Sequence, residues 1–383
     1  MNILMVGDSF YPDTFGGSHR VIYELAKRYA AQGDNVYVLT PLREGKAEEE
    51  IVDGIHVVRY PRRKGLLGFL DFLKAPAKAC KELEKFIHFD VINGHWPLTS
   101  YKVFKRHPKT KKVFFFHGPS FLEYKTEMEN KNAILRKLFV AFIKHYEAKA
   151  IKLADETVVA SNYMKGLLLE NFKPKNEPHR VPLACDSDKF ELPSSKQEAR
   201  RKINIPQDEF AILTLRRLKK RMGLDLLIRA MPQVIEKIPN TTLYIGGKGD
   251  YLPNLEALAE ECGVRDRIRF LGFVPDKDIA TYYGSADLSV VPSLTLEGFG
   301  LVSLEAMCSG TPVVATAAGG NIDVVGGLDE RLLSKPNDPE ALADCIISFY
   351  GRKEEYPPEK VRSYAVTTYS WEKTAASIKE LFK

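Results

Sequence analysis

Residues 297 to 316, EGFGLVSLEAMCSGTPVVAT, set two carboxylates, Glu297 and Glu305, on either side of a Gly-rich entry into an apolar helix. A helix beginning near Gly300 offers the free amides of Leu301, Val302 and Ser303 to an anion, with the helix dipole behind them. At 1.5 Å per residue Glu305 stands about 12 Å along the axis from Glu297, so the two cannot serve one atom. One carboxylate can accept both hydroxyls of a ribose diol; the other then faces a different part of the same long ligand. Two surface glutamates on a core helix are the plainer reading. Against it stands the Gly298, Phe299, Gly300 insertion, which has no packing purpose of its own.

Cations gather at a second place. In LTLRRLKKRMGLDLLIRA (213 to 230), Arg216, Arg217, Lys219, Lys220 and Arg221 fall between an apolar strand and a helix start, both of them positions where anions bind. The guanidinium fork satisfies two phosphate oxygens at once and suits a diphosphate; a solvated charge run is the alternative. The next strand ends in IGGKGD, where Gly246, Gly247 and Gly249 clear room for a ligand. A later one ends in FLGFVP, where backbone groups of Phe273 and Val274 can read the edge of a nucleobase.

The first half carries its own strand-end chemistry. After NILMV comes GDSFYPDTFGGSH, whose Gly16 and Gly17 let backbone amides and a helix start approach a phosphate or sugar, unless they form only a tight turn. This is not the GxGxxG turn of a nicotinamide-binding fold, because Gly7 is followed by Asp8, Ser9 and Phe10, and dehydrogenase chemistry is therefore disfavoured. FFFHGPS puts His117 at a strand's carboxyl end. His95, ending VINGH, has the same position, although Trp96 and Pro97 also fit it to a packing corner. Asp186, Ser187 and Asp188 spell a DxD that reads either as a metal motif or as a linker capping turn.

These loops need scaffolds to hold them. Short β-rich runs alternate with helix-period stretches from end to end, which predicts an α/β chain of two doubly wound Rossmann-like domains. At 383 residues there is length for two cores. The expected division is 1–185 and 186–365, with a C-terminal helix in 366–383 packing back on the first domain. Ligands then lie outside the carboxyl ends of the strands, where strand order reverses. The longest apolar stretches, such as LFVAFI (138 to 143), fall far short of the roughly 20 residues that span a bilayer. The opening MNILMVGDSF reads as a buried strand and not a signal peptide, so a cytoplasmic location is expected. The 5 cysteines include no CxxC pair, which argues against a zinc site or a disulfide framework. Residues 1 to 185 hold 30 Lys+Arg against 21 Asp+Glu, concentrated in RYPRRKG, KVFKRHPKTKK and LRKLFVAFIKHYEAKAIK. Such patches suit either a solvated face or contact with an anionic membrane surface or phosphorylated acceptor.

The stretch VPSLTLEGFGLVSLEAMCSGTPVVATAAGG resembles the Glu-x7-Glu segment of retaining glycosyltransferases of family 4, the glycosyl transferases group 1, which have the GT-B fold. The likeness extends to the Gly pair after the first strand, the strand-end His-Gly, the basic loop and a C-terminal helix with a Trp near its start. It implies that Glu305 binds the nucleotide ribose and that Glu297 lies near the donor sugar. Phe299, Gly300 and Leu301 would hold sugar hydroxyls and phosphate through the backbone. Arg217 and a second cation would neutralise the diphosphate, and His117 would sit by the sugar. The family's Lys before Gly223 is replaced by Met222, with Arg221 the expected substitute. The function so implied is transfer of a hexosyl group, with retention and by a front-face route, from a nucleotide diphosphate sugar to a glycan, glycolipid or small alcohol. It needs no cofactor or dedicated metal and no nucleic acid. A nucleotide-sugar epimerase of the same fold and a non-enzymatic polyanion-binding protein are the alternatives.

Overall fold

Runs of β-branched and aromatic residues too short to be helices form the two sheets of the computed structural model, which describes residues 1–383 except Phe15, Lys64, Glu129 and Asn130. Contacts divide the chain into two units, Met1–Leu183 with Trp371–Lys383, and Ala184–Ser370.

The first unit contains β1 (Asn2–Val6), β2 (Asn35–Pro41), β3 (Glu49–Val52), β4 (Ile55–Tyr60), β5 (Val91–Gly94), β6 (Lys111–Phe116), β7 (Glu156–Val159) and β8 (His179–Arg180). They lie in the order β3-β4-β2-β1-β5-β6-β7-β8. Every pairing is parallel except the edge pair β3 and β4. Central strands are buried almost from end to end, as a sheet covered on both faces requires. Leu4, Val6, Ile92, Phe114 and Phe116 pack with Leu98, Phe104 and Ile143 of the covering helices. The chain runs outward from β1 to β2 and β4 and then crosses back to β5. Strand order therefore reverses between β1 and β5.

The second unit repeats the plan with β9 (Phe210–Leu215), β10 (Thr241–Gly246), β11 (Ile268–Gly272), β12 (Leu288–Val291), β13 (Val313–Thr316) and β14 (Leu333–Ser334). Their order is β11-β10-β9-β12-β13-β14, all parallel, with the reversal between β9 and β12. Apolar runs such as NILMV, NVYVLT, VFFF, FAILTL and TTLYIG appear as strands, whereas LFVAFI lies within the helix Ala133–Leu153. The short edge pieces β3, β8 and β14 do not stand out in the sequence, because two to four residues give no period.

The seam expected after residue 185 lies at Leu183, and the return expected from 366 begins at Trp371. The helix Pro358–Thr368 stays with the second unit: Arg362 donates to the carbonyls of Ser187, Phe190 and Cys308, and Tyr364 donates to Val324 O at 2.9 Å. Asp186 Oδ1 accepts the amides of Asp188 and Lys189, each at 3.2 Å, so the DxD is a capping turn.

Trp371–Glu380 closes the first unit. Trp371 is 2% exposed with Arg28 over its ring at 5.8 Å, Thr374 donates to Pro182 O at 2.7 Å, and Tyr29 packs edge-on to Phe382 at 5.4 Å. The Asp34 carboxyl, which burial alone would raise, is held below its ordinary value by Lys379 and the N-terminal ammonium. Truncating a buried Trp costs about 3–5 kcal/mol, and the lower end applies here because the indole N–H has no acceptor to lose. Trp371→Ala is expected to lower the denaturant midpoint of the first unit's transition while leaving that of the second in place, as read by fluorescence and circular dichroism together.

Candidate active site

In each unit the polar side chains collect at the strand-order reversal. In the second unit the loops after β9 and β12 run so close that a Cβ on Gly223, itself at φ 72°, would sit 1.8 Å from Pro292 O. Glycine is the residue that fits there. Arg216, the first residue after β9, is buried, and its Nη2 donates to Glu297 Oε2 at 2.9 Å and to Ser293 Oγ at 3.0 Å, with Met222 Sδ at 3.1 Å. Ser293 in turn donates to Glu297 Oε2 at 2.7 Å. The Nε and Nη1 of Arg216 are buried without acceptors. Burial pulls Arg216 below its usual value, and Glu297 opposes that shift.

The helical rise therefore does not measure the distance between Glu297 and Glu305, since Glu297 lies before the helix, as the sequence places it. The helix is Leu301–Cys308, and Glu297 lies in the preceding loop, folded back onto Arg216. Gly300 caps that helix with no side-chain hydrogen bond. Ser303 N turns back to Gly300 O at 3.0 Å, so the amides left to a ligand are those of Leu301 and Val302. Phe299 is buried against Tyr369 at 5.6 Å. Glu305 is part-buried on the helix, one turn before Cys308. Arg221 is part-buried, with Nη1 3.5 Å from Leu296 O, while Arg217 is exposed beside it in sequence.

The glycines after β10 serve packing. A Cβ on Gly247 would lie 1.9 Å from Arg216 O, and its amide already donates to Gly272 O at 2.7 Å. They seat the loop that contains Arg216 rather than clear a cavity. At the end of β11, Phe273 stands 52% exposed with Lys248 over its ring at 5.2 Å, and Val274 is part-buried. An exposed aromatic ring beside a cation is a group that can stack a base. Ser293 and Asn321, whose Oδ1 would be 3.0 Å from a Gly300 Cβ, are small polar residues after strands, a type that carries no distinguishing signal in a sequence.

In the first unit His117, at the end of β6, is bonded through Nε2 to His95 Nδ1 at 3.0 Å, and His95 Nε2 lies 2.9 Å from Asn93 Oδ1. Burial pushes His117 down to about 3, with the neighbouring His19 adding to the shift. His19, on the helix that starts at Gly17, approaches Thr14 Oγ1 at 3.0 Å through Nδ1 and Asp8 Oδ1 at 3.9 Å through Nε2. A Cβ on Gly16 would lie 2.9 Å from the His19 ring, so Gly16 lets that ring fold over the helix start. Glu147, on the helix Ala133–Leu153, accepts the amides of Ser120 at 3.0 Å and Phe121 at 3.4 Å and anchors the loop that follows His117. Elsewhere Cys80, Glu84 and His107 converge within 4.8 Å. They lie before β6 and not after it, and His107 already spans Val103 O at 2.6 Å and the Glu84 carboxylate.

The sequence model described as Glycosyltransferase Family 4 matches residues 15–189, and that of Glycosyl transferases group 1 matches residues 195–381. The chain belongs to family 4. An uncharacterised glycosyltransferase of Methanocaldococcus jannaschii is 37% identical over 48% of this family 4 chain and 47% of its own. A D-inositol 3-phosphate glycosyltransferase of Thermomonospora curvata is 28% identical over 96% of this chain and 90% of its own. For several other curated relatives the match spans 50–62% of their length. The sucrose-phosphate synthase structure from Thermosynechococcus elongatus superposes with a TM-score of 0.83 at 23% identity, covering 100% of this chain and 98% of that one, which is the GT-B fold.

Two outcomes follow for this family 4 site. Removing one partner of a buried ion pair leaves the other charge uncompensated, at a cost of about 3–5 kcal/mol. Glu297→Ala is thus expected to destabilise the second unit by that amount in urea titration, and Arg216→Met with Glu297→Leu by clearly less. Burial also pushes the Glu147 carboxyl up to about 8, despite the two amides that favour its charged form. Between the ordinary glutamate value of about 4.3 and that raised one, the folded chain keeps a proton that the unfolded chain has released. Stability therefore falls as pH rises through this window. Glu147→Gln should remove that slope, so wild-type melting temperature should drop relative to the variant's between about pH 5 and 8.

Proposed function

We propose that the chain is a retaining hexosyltransferase that uses a nucleotide diphosphate sugar. The observation that carries this reading is the reversal between β9 and β12, where Arg216, Arg217 and Arg221 come from one loop and the uncapped helix start at Leu301 and Val302 follows the other. Phe273 stacks on or borders the base, Glu305 takes the ribose hydroxyls, and Arg217 and Arg221 hold the diphosphate. Glu297, aimed by its hydrogen bonds from Arg216 and Ser293, lies toward the sugar.

In the reaction the bond between the anomeric carbon and the diphosphate oxygen breaks, and the electron pair leaves with that oxygen. Arginines and helix amides stabilise the charge as it develops. The acceptor oxygen attacks the same face, and its proton passes to the departing diphosphate oxygen. Protein cations do the neutralising, with no dedicated metal or cofactor. Residues of a glycosidase-type pair would both have to meet one anomeric centre. Glu297 is engaged by Arg216 and Glu305 belongs to a separate element, which favours the front-face route over a double displacement.

The acceptor is held by the first unit, and a phosphorylated or lipid-linked alcohol suits its basic surface. The Thermomonospora curvata relative is named for D-inositol 3-phosphate, a phosphorylated alcohol. No helix among the described residues is long and apolar enough to cross a membrane. The helix Ala133–Leu153 does present Ile134, Leu135 and Leu138, each more than half exposed, near Lys131 and Lys137. Peripheral contact with an anionic membrane face accords with that combination.

A panel of UDP, GDP, ADP, CDP and dTDP tests the donor site by thermal shift. One nucleotide at about 100 times its dissociation constant should stabilise by about 2.7 kcal/mol, and Glu305→Ala should abolish the shift. No shift with any nucleotide would overturn the reading. Once a donor is found, an inverted anomeric configuration in the product would overturn retention.

A further inference from the structure

Hydrogen bonds around His117 form a one-way chain whose protons can be assigned from its far end. Asn93 on β5 is fully buried, and its Nδ2 donates to Val113 O at 3.1 Å. That bond fixes the amide's orientation, because a flipped amide would set its oxygen against the carbonyl of β6. Asn93 Oδ1 therefore faces His95 Nε2 at 2.9 Å, and an amide oxygen can only accept, so His95 carries a proton on Nε2. His95 is 4% exposed and stacked on Phe115 at 5.6 Å, surroundings in which a second ring proton and its charge are strongly disfavoured. Its Nδ1 is then a bare lone pair, and His117 Nε2, 3.0 Å away, must donate to it.

We propose that Asn93 and His95 are positioning residues that lock His117 in the Nε2–H form, so that its Nδ1 meets the ligand as a hydrogen-bond acceptor. Among the described residues that nitrogen has no protein partner. The assignment rests on the transferase reading only for the identity of the ligand, a sugar or acceptor bearing hydroxyls. It gives His117 a defined chemical preference. The ring accepts an O–H and can orient or partly deprotonate it, whereas a phosphate oxygen or carbonyl would meet lone pair against lone pair. His117 is thus a hydroxyl reader in the first unit and takes no share of diphosphate neutralisation, which falls to the cations of the second.

The chain also explains why two histidines end neighbouring strands. Parallel pairing sets Asn93 opposite Val113 and Gly94 opposite Phe114, which brings His95 level with Phe115, and His117, two residues further along β6, reaches the His95 ring on the diagonal. Each member hands its orientation to the next, as an outer partner fixes the tautomer of a functional imidazole. The other titratable group facing His117 is His19, which adds to the forces keeping the ring neutral.

Ring nitrogen NMR on histidine-labelled protein tests this without substrate or activity, and His117→Gln identifies the His117 signals. The expected spectrum has a non-protonated Nδ1 and a protonated Nε2, unchanged between about pH 5 and 8, where an ordinary histidine with a value near 6.5 would titrate. Protonated Nδ1 in the wild-type protein, or a charged ring at neutral pH, would overturn the proposal whatever the transferase reading does. Asn93→Leu should keep the fold, checked by circular dichroism, and move both His117 nitrogens toward averaged shifts as the two tautomers mix. A variant that stays folded with an unchanged His117 spectrum would show that Asn93 does not set the tautomer. Once a donor is known, His95→Phe should raise KM for it or lower kcat more at acid than at neutral pH. A loss equal at every pH would mark a purely structural residue and remove His95 from the chain.

Discussion

A parallel sheet covered by helices on both faces leaves polar chemistry one place to go, the loops at the strand ends. Both units obey that constraint. Their strand interiors are filled by Leu4, Val6, Ile92, Phe114, Ile212, Leu243 and Val290, each almost fully buried, and the groups able to bind or react lie in the loops after strands, at the reversals between β1 and β5 and between β9 and β12 and at the ends of β6 and β11. Each reversal draws two loops from adjacent strands that are far apart in sequence. Residues such as Arg216 and Glu297, 81 positions apart, meet for that reason alone.

The same architecture supports two opposite electrostatic environments. In the second unit a buried guanidinium is tolerated because Glu297 compensates its charge and Ser293 supplies a further acceptor. Its remaining N–H groups are orphaned, a cost a protein keeps only where something else requires the group. In the first unit burial, reinforced by the neighbouring imidazoles of His117 on His95 and of His19 on His117, leaves His95 and His117 neutral beside the Phe115 ring. A charged site suits a diphosphate and a neutral one suits hydroxyls.

Glu297 shows how stability and function share one side chain. It is a member of the Glu-x7-Glu pair by sequence, yet its carboxylate accepts from Arg216 and Ser293. Met222 brings its sulfur against the same guanidinium. A cation at that position would add a like charge beside a buried Arg216, so the Met and the buried arginine are physically consistent with each other.

Strand runs such as FAILTL and KVFFF, the strand-end His117, the basic loop and the two glutamates were all legible in the sequence, and with them the α/β class and the family. These are local signals: apolar period, glycine beside a helix start, residue types at fixed spacing. Tertiary structure alone decided that Glu297 folds back to pair with Arg216, that Gly247 seats a neighbouring loop and does not clear a cavity, and that His95 binds His117. It also decided that the return to the first unit begins at Trp371 and not at 366. Each of these depends on which strands become neighbours, and a hydrogen bond across 22 or 81 residues leaves no period or spacing in the chain from which to read it.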